Sequence, residues 1–352
     1  MIDPLLRRAQ NQVRALCLHN ALQTFHSAED SGADPDLCAA GRWDCYMLLG
    51  DFESAWRESD LISSRGQPDP NRFWRGCSLV GKRVLIRCLH GLGDTIQFIR
   101  YVPLLREVAA SVTIEAQPHL KRLLAQSGLA DDVITWSEPE PPWEEQVEVM
   151  ELPRIFRTTI DTIPDRVPYL TAKPRDSVAL NANTLSVGLI WRSSAFNPAR
   201  SIPMEELADV LDLPSITFYA LQTEPQEQEL PRCLPNIRKL HQHVSRIHET
   251  ASLLKKLDLL ITVDTMAAHL AGGLAVPVWT LLPYQCDWRW MLDRGDSPWY
   301  PTMRLFRQKE PGDWTHVVSE VKLRLAAFPV VRKPQQDTSQ TDDDITVRLR
   351  EQ

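Results

Sequence analysis

An apolar strand that turns directly into a helix of small residues stands out in the C-terminal half of the chain. The strand ends at Val263, Asp264 and Thr265 follow, and residues 266–273 are rich in Ala and Gly before a further strand begins at Val276. This order is typical of a parallel-sheet crossover, in which the helix begins at the carboxyl edge of the sheet. Unpaired N–H groups and the positive end of the helix dipole gather there, so the junction predicts an anion site suited to phosphate.

The composition argues against several classes of protein. The chain has 352 residues, 43% of them hydrophobic and 24% charged, which suits a globular protein of two or three domains. The net charge is −7, and nucleic-acid partners are bound by clustered Lys and Arg on basic domains, so we expect no nucleic-acid partner. No apolar run approaches the roughly 20 residues that span a bilayer, and the first residues lack the features of a signal peptide. We therefore expect a cytosolic protein, with docking on the inner membrane surface still open.

Cysteine and histidine residues indicate neither a disulfide framework nor a metal site. The seven cysteines are scattered and include no Cys-x-x-Cys pair, which favours buried free thiols. His241 and His243 alternate as neighbours on one face of a strand would, but no further ligands accompany them. We assign them no metal role.

Residues 1–66 carry helical patterns only. The turn at Gly50 and Asp51, followed by Phe52 and Ala55, resembles the turn of a tetratricopeptide repeat. About one and a half repeats are visible, whereas roughly three are needed for a free-standing solenoid. We expect this segment to pack on the neighbouring domain, and two roles stay open: a structural cap, or a binding site for a partner protein.

From about residue 75 the chain alternates strand and helix signals. The predicted strands are 84–86, 112–115, 133–136 and 147–152, then 187–191, 216–221, 259–263 and 278–282, with helices at 120–124 and 314–328 among those between and after them. A linker with Pro164, Pro168 and Pro174 separates the two series. We therefore predict an α/β fold of two Rossmann-like, doubly wound domains, residues 75–174 and 183–329, after the helical segment 1–66 and before a disordered tail, 330–352. Such domains enclose a cleft between the carboxyl edges of two parallel sheets.

A second strand-to-helix junction lies near residue 91. Gly91 and Gly93 permit a tight turn, but the six-residue dinucleotide fingerprint is absent. Asp94 stands at the expected N-cap, and Gln97 three residues later completes a capping box. A carboxylate at this edge of the sheet would also face the cleft, where it could accept a proton from a hydroxyl group. The capping role and the catalytic role can hold together.

Residues 91–101, Gly-Leu-Gly-Asp-Thr-Ile-Gln-Phe-Ile-Arg-Tyr, resemble the N-terminal motif of bacterial family 9 glycosyltransferases, specifically the subgroup that carries tetratricopeptide repeats. The better-known members are the ADP-heptose:lipopolysaccharide heptosyltransferases. The resemblance continues in order through 152–153, 163–164, 168–170, 187–191, 200–203, 263–265, 287–290 and 296–301. It covers most of residues 75–328.

The resemblance implies a GT-B fold whose N-terminal domain binds the acceptor and whose C-terminal domain binds a nucleotide-sugar donor. The family's general base falls on Asp94. Its contacts to the donor diphosphate fall on Asp264, Thr265 and Met266, with His269 one turn further into the helix. Enzymes of this kind need no metal or other cofactor, because the helix dipole and basic side chains neutralise the leaving diphosphate.

Further donor contacts are expected around the same edge of the C-terminal sheet. Related enzymes have a basic residue after the strand that ends at Trp191, and Arg192 and Arg200 are the candidates here. Gln222 ends a neighbouring strand and could meet the nucleotide. Trp288 and Trp290 are candidates for stacking on base or sugar.

The leading hypothesis is therefore an inverting, metal-independent hexosyl- or heptosyltransferase that acts on a glycan, lipopolysaccharide or protein hydroxyl. Two features depart from the family: the loop 193–199 is short, and His90 replaces the glutamine expected before the glycine loop. The short loop leaves open a non-catalytic scaffold that binds a partner protein through residues 1–66. A sugar-nucleotide epimerase or hydrolase is the third hypothesis.

Overall fold

The structure is a computed structural model that describes residues 3–66, 72–174, 178–222, 236–240 and 245–328. Residues 3–66 form the helices α1 (Pro4–Arg14), α2 (Leu18–Asp30), α3 (Pro35–Leu49) and α4 (Phe52–Arg65), each packed against the next. Asp34 caps α3 by accepting the backbone N–H groups of Asp36 and Leu37, and Gly50 ends it in the left-handed conformation. The helices predicted on either side of Gly50 are confirmed, whereas their class as tetratricopeptide repeats stays a prediction.

Close packing of α2 and α3 depends on Gly41. A Cβ atom there would lie 2.1 Å from the ring of Phe25, which is buried in the helical segment. Because the ring has no room to move, we expect Gly41→Ala to lower the free energy of unfolding by about 1–3 kcal/mol in urea denaturation. Gly295→Ala is the control, since its nearest neighbour would be 3.9 Å away, and we expect a change within about 0.5 kcal/mol. Equal stability of the two variants would contradict the packing argument.

The first sheet holds β1 (Arg83–Arg87), β2 (Ser111–Ala116), β3 (Asp132–Thr135) and β4 (Glu145–Glu148), all parallel in the order β3-β2-β1-β4. The helices of this half are α5 (Leu92–Phe98), α6 (Val102–Arg106), α7 (Lys121–Ser127) and α8 (Leu152–Ile155). The strand predicted at 147–152 is wrong in its bounds. β4 ends at Glu148, because the Glu148 carboxylate accepts the N–H of Met150 at 2.6 Å and turns the chain into a short 3₁₀ segment.

The second sheet holds β5 (Leu185–Ile190), β6 (Ile216–Ala220), β7 (Ile237–Lys239), β8 (Leu259–Val263), β9 (Val278–Leu282) and β10 (Met303–Arg307). Its strands are parallel in the order β10-β9-β8-β5-β6-β7. The helices are α9 (Met204–Leu211), α10 (Ile247–Leu254), α11 (Met266–Gly273) and α12 (Thr315–Ala326). The four predicted strands are confirmed. β7 and β10 escaped prediction because β7 is only three residues long and partly exposed, while β10 carries Arg304 within its apolar pattern.

Several predictions concern features that the structure describes only in part. The predicted tail 330–352 and the pair His241 and His243 lie outside the described residues. The cysteines within the described ranges are free, as predicted, but burial holds only for Cys38, Cys45 and Cys88, since Cys17 is exposed and Cys77 and Cys286 are partly exposed. Among those same ranges, no helix is both long enough and apolar enough to cross a bilayer.

The helical segment packs on both α/β halves. The indole N–H of Trp56 donates to the carbonyl of Thr158 at 2.7 Å, in the first half. The backbone N–H of Leu292 donates to the carbonyl of Leu48 at 3.0 Å, in the second. The segment therefore spans the junction between the halves, as the prediction that it packs on a neighbouring domain requires.

Candidate active site

Five charged side chains meet between the two sheets, and each follows the carboxyl end of a strand. Asp94 follows β1, Arg200 follows β5, Asp264 follows β8, and Asp287 and Arg289 follow β9. Arg289 contacts Asp94 at 2.5 Å and Asp287 at 2.8 Å, and Arg200 lies 3.6 Å from Asp287 and 3.4 Å from Asp264. We call this set the ionic chain. Since strands of both sheets end at it, their carboxyl edges face each other here, as the sequence predicts.

Asp94 belongs to the first turn of α5 but is not its N-cap. The helix begins at Leu92 with Gly91 as the cap, so Asp94 is the third helical residue, and the prediction of an N-cap is wrong. Its Oδ2 accepts the N–H of Gly91 at 2.8 Å, because a carboxylate at this position reaches back to the cap. Each carboxylate oxygen keeps a free lone pair, and 27% of the side chain is exposed, so Asp94 can still accept a hydrogen bond from a hydroxyl.

Gln97 does not complete a capping box, which corrects the second part of that prediction. Its side chain is fully buried, and its Oε1 accepts the Nε–H of Arg289 at 2.7 Å. Gln97 therefore contributes a hydrogen bond between the two halves of the protein instead of capping α5.

Thr265 is the N-cap of α11, and its hydroxyl accepts the N–H of Ala267 at 3.3 Å. Asp264, directly before it, is 4% exposed. Burial raises the pKa of the Asp264 carboxyl to about 6, with Arg200 opposing the shift and Asp287 adding to it. The predicted phosphate site at this helix start thus has a weakly acidic carboxyl and an arginine beside it.

α5 and α11 approach closely because residue 93 is glycine. A Cβ atom on Gly93 would lie 3.1 Å from the ring of His269 and 3.6 Å from the Cα of Met266. His269 is 6% exposed, its Nδ1 lies 3.0 Å from the hydroxyl of Tyr300, and its ring stacks on Trp290. Burial lowers the pKa of His269 to about 3, so the imidazole is neutral near pH 7. The two strand-to-helix junctions therefore pack directly on each other, through Gly93 on one side and Met266 and His269 on the other.

The remaining predicted donor residues lie at the ends of β5 and β6. Arg200 reaches the start of α11 through its contact with Asp264. The backbone N–H of Arg192 donates to Oε1 of Gln222 at 3.0 Å, which ties the two strand ends together. Gln222 thus has a structural role at this edge, and its contact with a nucleotide stays a prediction.

Trp288 and Trp290 both pack against neighbouring rings, and the stacking of either on base or sugar stays a prediction. Trp290 is fully buried against His269. Trp288 lies 5.5 Å from Trp43 of α3 and 6.2 Å from Phe98 of α5, measured between ring centroids. Trp290 thus lies inside the protein, whereas Trp288 is only partly buried by the helical segment and α5.

Sequence reasoning missed four polar residues of this region: Asp287, Arg289, Glu148 and Arg100. The available signal for Arg289 is its place between two tryptophans in the loop after β9. Glu148 is 2% exposed, and burial raises its pKa to about 8, so it is largely protonated near pH 7. His90 Nε2 lies 4.0 Å from it, which places both groups beside the Asp94 loop.

A surface cavity of about 500 Å³ lies elsewhere, between α4, α8 and the residues that follow each of them. Arg154 and Arg157 line it, and both already pair with Asp60. We place the candidate site at the ionic chain instead, because ligands of parallel α/β sheets bind outside the carboxyl ends of the strands.

No protein-family model matches the chain. Among curated proteins, protein FlbA of Caulobacter vibrioides is 23% identical over 350 residues, and the match covers 88% of this chain and 58% of FlbA. Among solved structures, the family 9 glycosyltransferase of Veillonella parvula has a TM-score of 0.53 at 11% identity, covering 71% of this chain and 97% of that one. The chain has the fold of a family 9 glycosyltransferase.

The resemblance to family 9 is therefore confirmed at the level of fold, and the parallel sheets match a GT-B-like architecture. The ADP-heptose lipopolysaccharide heptosyltransferase II of E. coli is also similar, with a TM-score of 0.49 at 12% identity over 70% of this chain and 98% of that one. The chain spans little more than half the length of FlbA.

Proposed function

We propose that the protein is an inverting, metal-independent glycosyltransferase that moves a sugar from a nucleotide-sugar donor to an acceptor hydroxyl. The observation that carries this proposal is the ionic chain. It joins a partly exposed carboxylate, Asp94, to the start of α11 through Arg289, Asp287 and Arg200. A general base and a phosphate site thereby face each other across one interface, as transfer between two bound substrates requires.

In this mechanism the donor diphosphate lies at the N-terminus of α11, near Thr265 and Met266. Asp94 takes the proton of the acceptor hydroxyl, whose oxygen attacks the anomeric carbon from the face opposite the diphosphate. The bond between the anomeric carbon and the diphosphate oxygen breaks, so the configuration inverts and the electron pair leaves with the nucleotide. The helix dipole and Arg200 stabilise the charge that develops on the leaving group.

Asp264 should make nucleotide binding depend on pH. With a pKa of about 6, its carboxyl is mostly neutral at pH 5 and mostly ionised at pH 7.5. A negative charge beside the diphosphate opposes binding, so we expect the affinity of the wild-type protein for a nucleoside diphosphate to fall about tenfold more over this range than that of Asp264→Asn. Isothermal titration at both pH values measures the difference. Asp264→Asn is the control for the pH dependence that arises from titration of the nucleotide itself. If the affinities of the wild-type protein and the variant change with pH in parallel, Asp264 has no role in that dependence.

A label-transfer assay tests the proposed function. Nucleotide sugars with a labelled sugar are incubated with the protein and with glycan, lipopolysaccharide or protein fractions, and ADP-heptose is the first donor because the sequence resembles heptosyltransferases. We expect label in one acceptor fraction and release of the nucleoside diphosphate. Donor consumed without acceptor would instead indicate a hydrolase or epimerase.

The salt bridge between Arg289 and Asp94 also suits a second candidate function, a non-catalytic scaffold, because it could serve only to hold the two halves together. That function predicts a donor that binds and is never consumed with any acceptor fraction.

A further inference from the structure

The loop between β9 and β10 carries Asp287 and Arg289, and the helical segment contacts this loop on both sides of these two residues. The side-chain amide of Gln285 donates to the carbonyl of Arg14 at 2.6 Å, and the backbone N–H of Leu292 donates to the carbonyl of Leu48 at 3.0 Å. Between these two hydrogen bonds, the ring of Trp288 lies edge-to-face against Trp43. The helices thus hold residues 285–292, the first half of the loop, on both sides of Asp287 and Arg289.

Trp288 in turn supports Arg289. The guanidinium carbon of Arg289 lies 4.6 Å from the centroid of the Trp288 ring and 5.2 Å from that of Phe98. Arg289 is 6% exposed, so its guanidinium cannot move without displacing these rings. A shift of Trp288 would therefore move the guanidinium that contacts Asp94 and Asp287.

We propose that Trp43 is a positioning residue for the candidate active site. By holding Trp288, it keeps Arg289 in contact with Asp94 and Asp287, so α3 helps to position the candidate active site. This inference rests on the proposed function. It gives the helical segment a third role beside those of a structural cap and a binding site for a partner protein.

The indole nitrogen of Trp43 makes the inference sharply testable. It is buried and has no hydrogen-bond partner among the described residues, so Trp43→Phe removes no hydrogen bond and keeps an aromatic edge against Trp288. Trp43→Ala removes that edge, and Trp43→Leu keeps apolar bulk without it. Trp56→Phe is the matched control, because Trp56 anchors the same segment to Thr158 and so to the other half of the protein.

Hydrogen exchange tests the mechanical link without any assay of activity. In Trp43→Ala, and in Trp43→Leu if the alanine variant does not fold, we expect faster exchange of the backbone amides in 285–292. Trp43→Phe and Trp56→Phe should keep the wild-type rate there. Unchanged protection of 285–292 in both the alanine and the leucine variant would overturn the inference.

A double-mutant cycle tests the link to the reaction. We expect Trp43→Ala to lower kcat about tenfold with KM for the nucleotide sugar nearly unchanged, and to have less than about a twofold effect in an Arg289→Lys background, since both changes act on one contact. If Trp43→Ala lowers kcat by the same factor in the Arg289→Lys background as in the wild-type protein, the role of Trp43 is merely structural and the inference is overturned. If the wild-type protein transfers no sugar while exchange still responds to Trp43, the proposed function fails and the contact between Trp43 and the loop stands.

Discussion

Asp94→Asn is expected to lower kcat for glycosyl transfer about 100- to 10,000-fold, the usual contribution of a general base. Arg289 and the N–H of Gly91 donate to different oxygens of Asp94, so the single oxygen of asparagine can accept only one of these hydrogen bonds, and asparagine cannot take a proton from the acceptor. Because no hydrogen bond or ion pair joins Asp94 to the described residues of α11, the affinity for a nucleoside diphosphate should change less than about threefold. Initial rates of label transfer and titration with the nucleotide measure the two effects.

Asp131→Asn provides a matched control in the same half of the protein. Asp131 also accepts one backbone N–H, from Val112 at 2.8 Å, and one arginine N–H, from Arg106 at 2.9 Å. It lies on the surface beside β2 and β3, so its variant loses similar interactions without touching the candidate site. A loss of transfer in Asp131→Asn as large as that in Asp94→Asn would mean that a general loss of stability, and not a base, explains the result.

Arg100→Met is expected to lower the free energy of unfolding by about 3–5 kcal/mol. Arg100 is 3% exposed, donates to the carbonyls of Gln97 and Trp299, and lies 4.4 Å from the centroid of the Tyr300 ring. These groups come from both halves of the protein. Removal of the guanidinium leaves their buried carbonyls without a donor, and methionine cannot replace it.

Chemical denaturation measures this effect, with Arg106→Met as the control. Arg106 pairs with Asp131 on the surface, where both side chains are more than 40% exposed, and such pairs contribute only about 0–1 kcal/mol. Similar losses of stability in the two variants would contradict the role of Arg100 in joining the halves.

The strands of both sheets were largely predictable because buried parallel strands read as short apolar runs. Val84 to Ile86 and Leu259 to Val263 are examples, and both are confirmed. The short strand β7 lacks such a run, and β10 interrupts its run with Arg304. Local hydrogen bonds also determine where a strand ends, which an apolar pattern does not show. The end of β4 at Glu148 is an example.

The candidate site was predictable only where a motif is local. The glycine loop around Asp94 and the helix start at Thr265 could be located because each depends on consecutive residues. The contact of Arg289 with Asp94 joins residues 195 positions apart, and that of Trp43 with Trp288 joins two separate parts of the chain. Such contacts depend on how the helical segment and the two sheets dock, which no single stretch of sequence encodes.

Isothermal titration of ADP, UDP, GDP and CDP into the wild-type protein and Arg200→Gln tests the central claim most directly. We expect one of these nucleotides to bind the wild-type protein, and Arg200→Gln to bind it about 10- to 100-fold more weakly, since a charge-assisted contact to the diphosphate is lost. Arg304→Gln, on the exposed face of β10, should bind as the wild-type protein does. Absence of binding by any of the four nucleotides to the folded wild-type protein, or equal affinity in Arg200→Gln, would contradict a donor site at the start of α11.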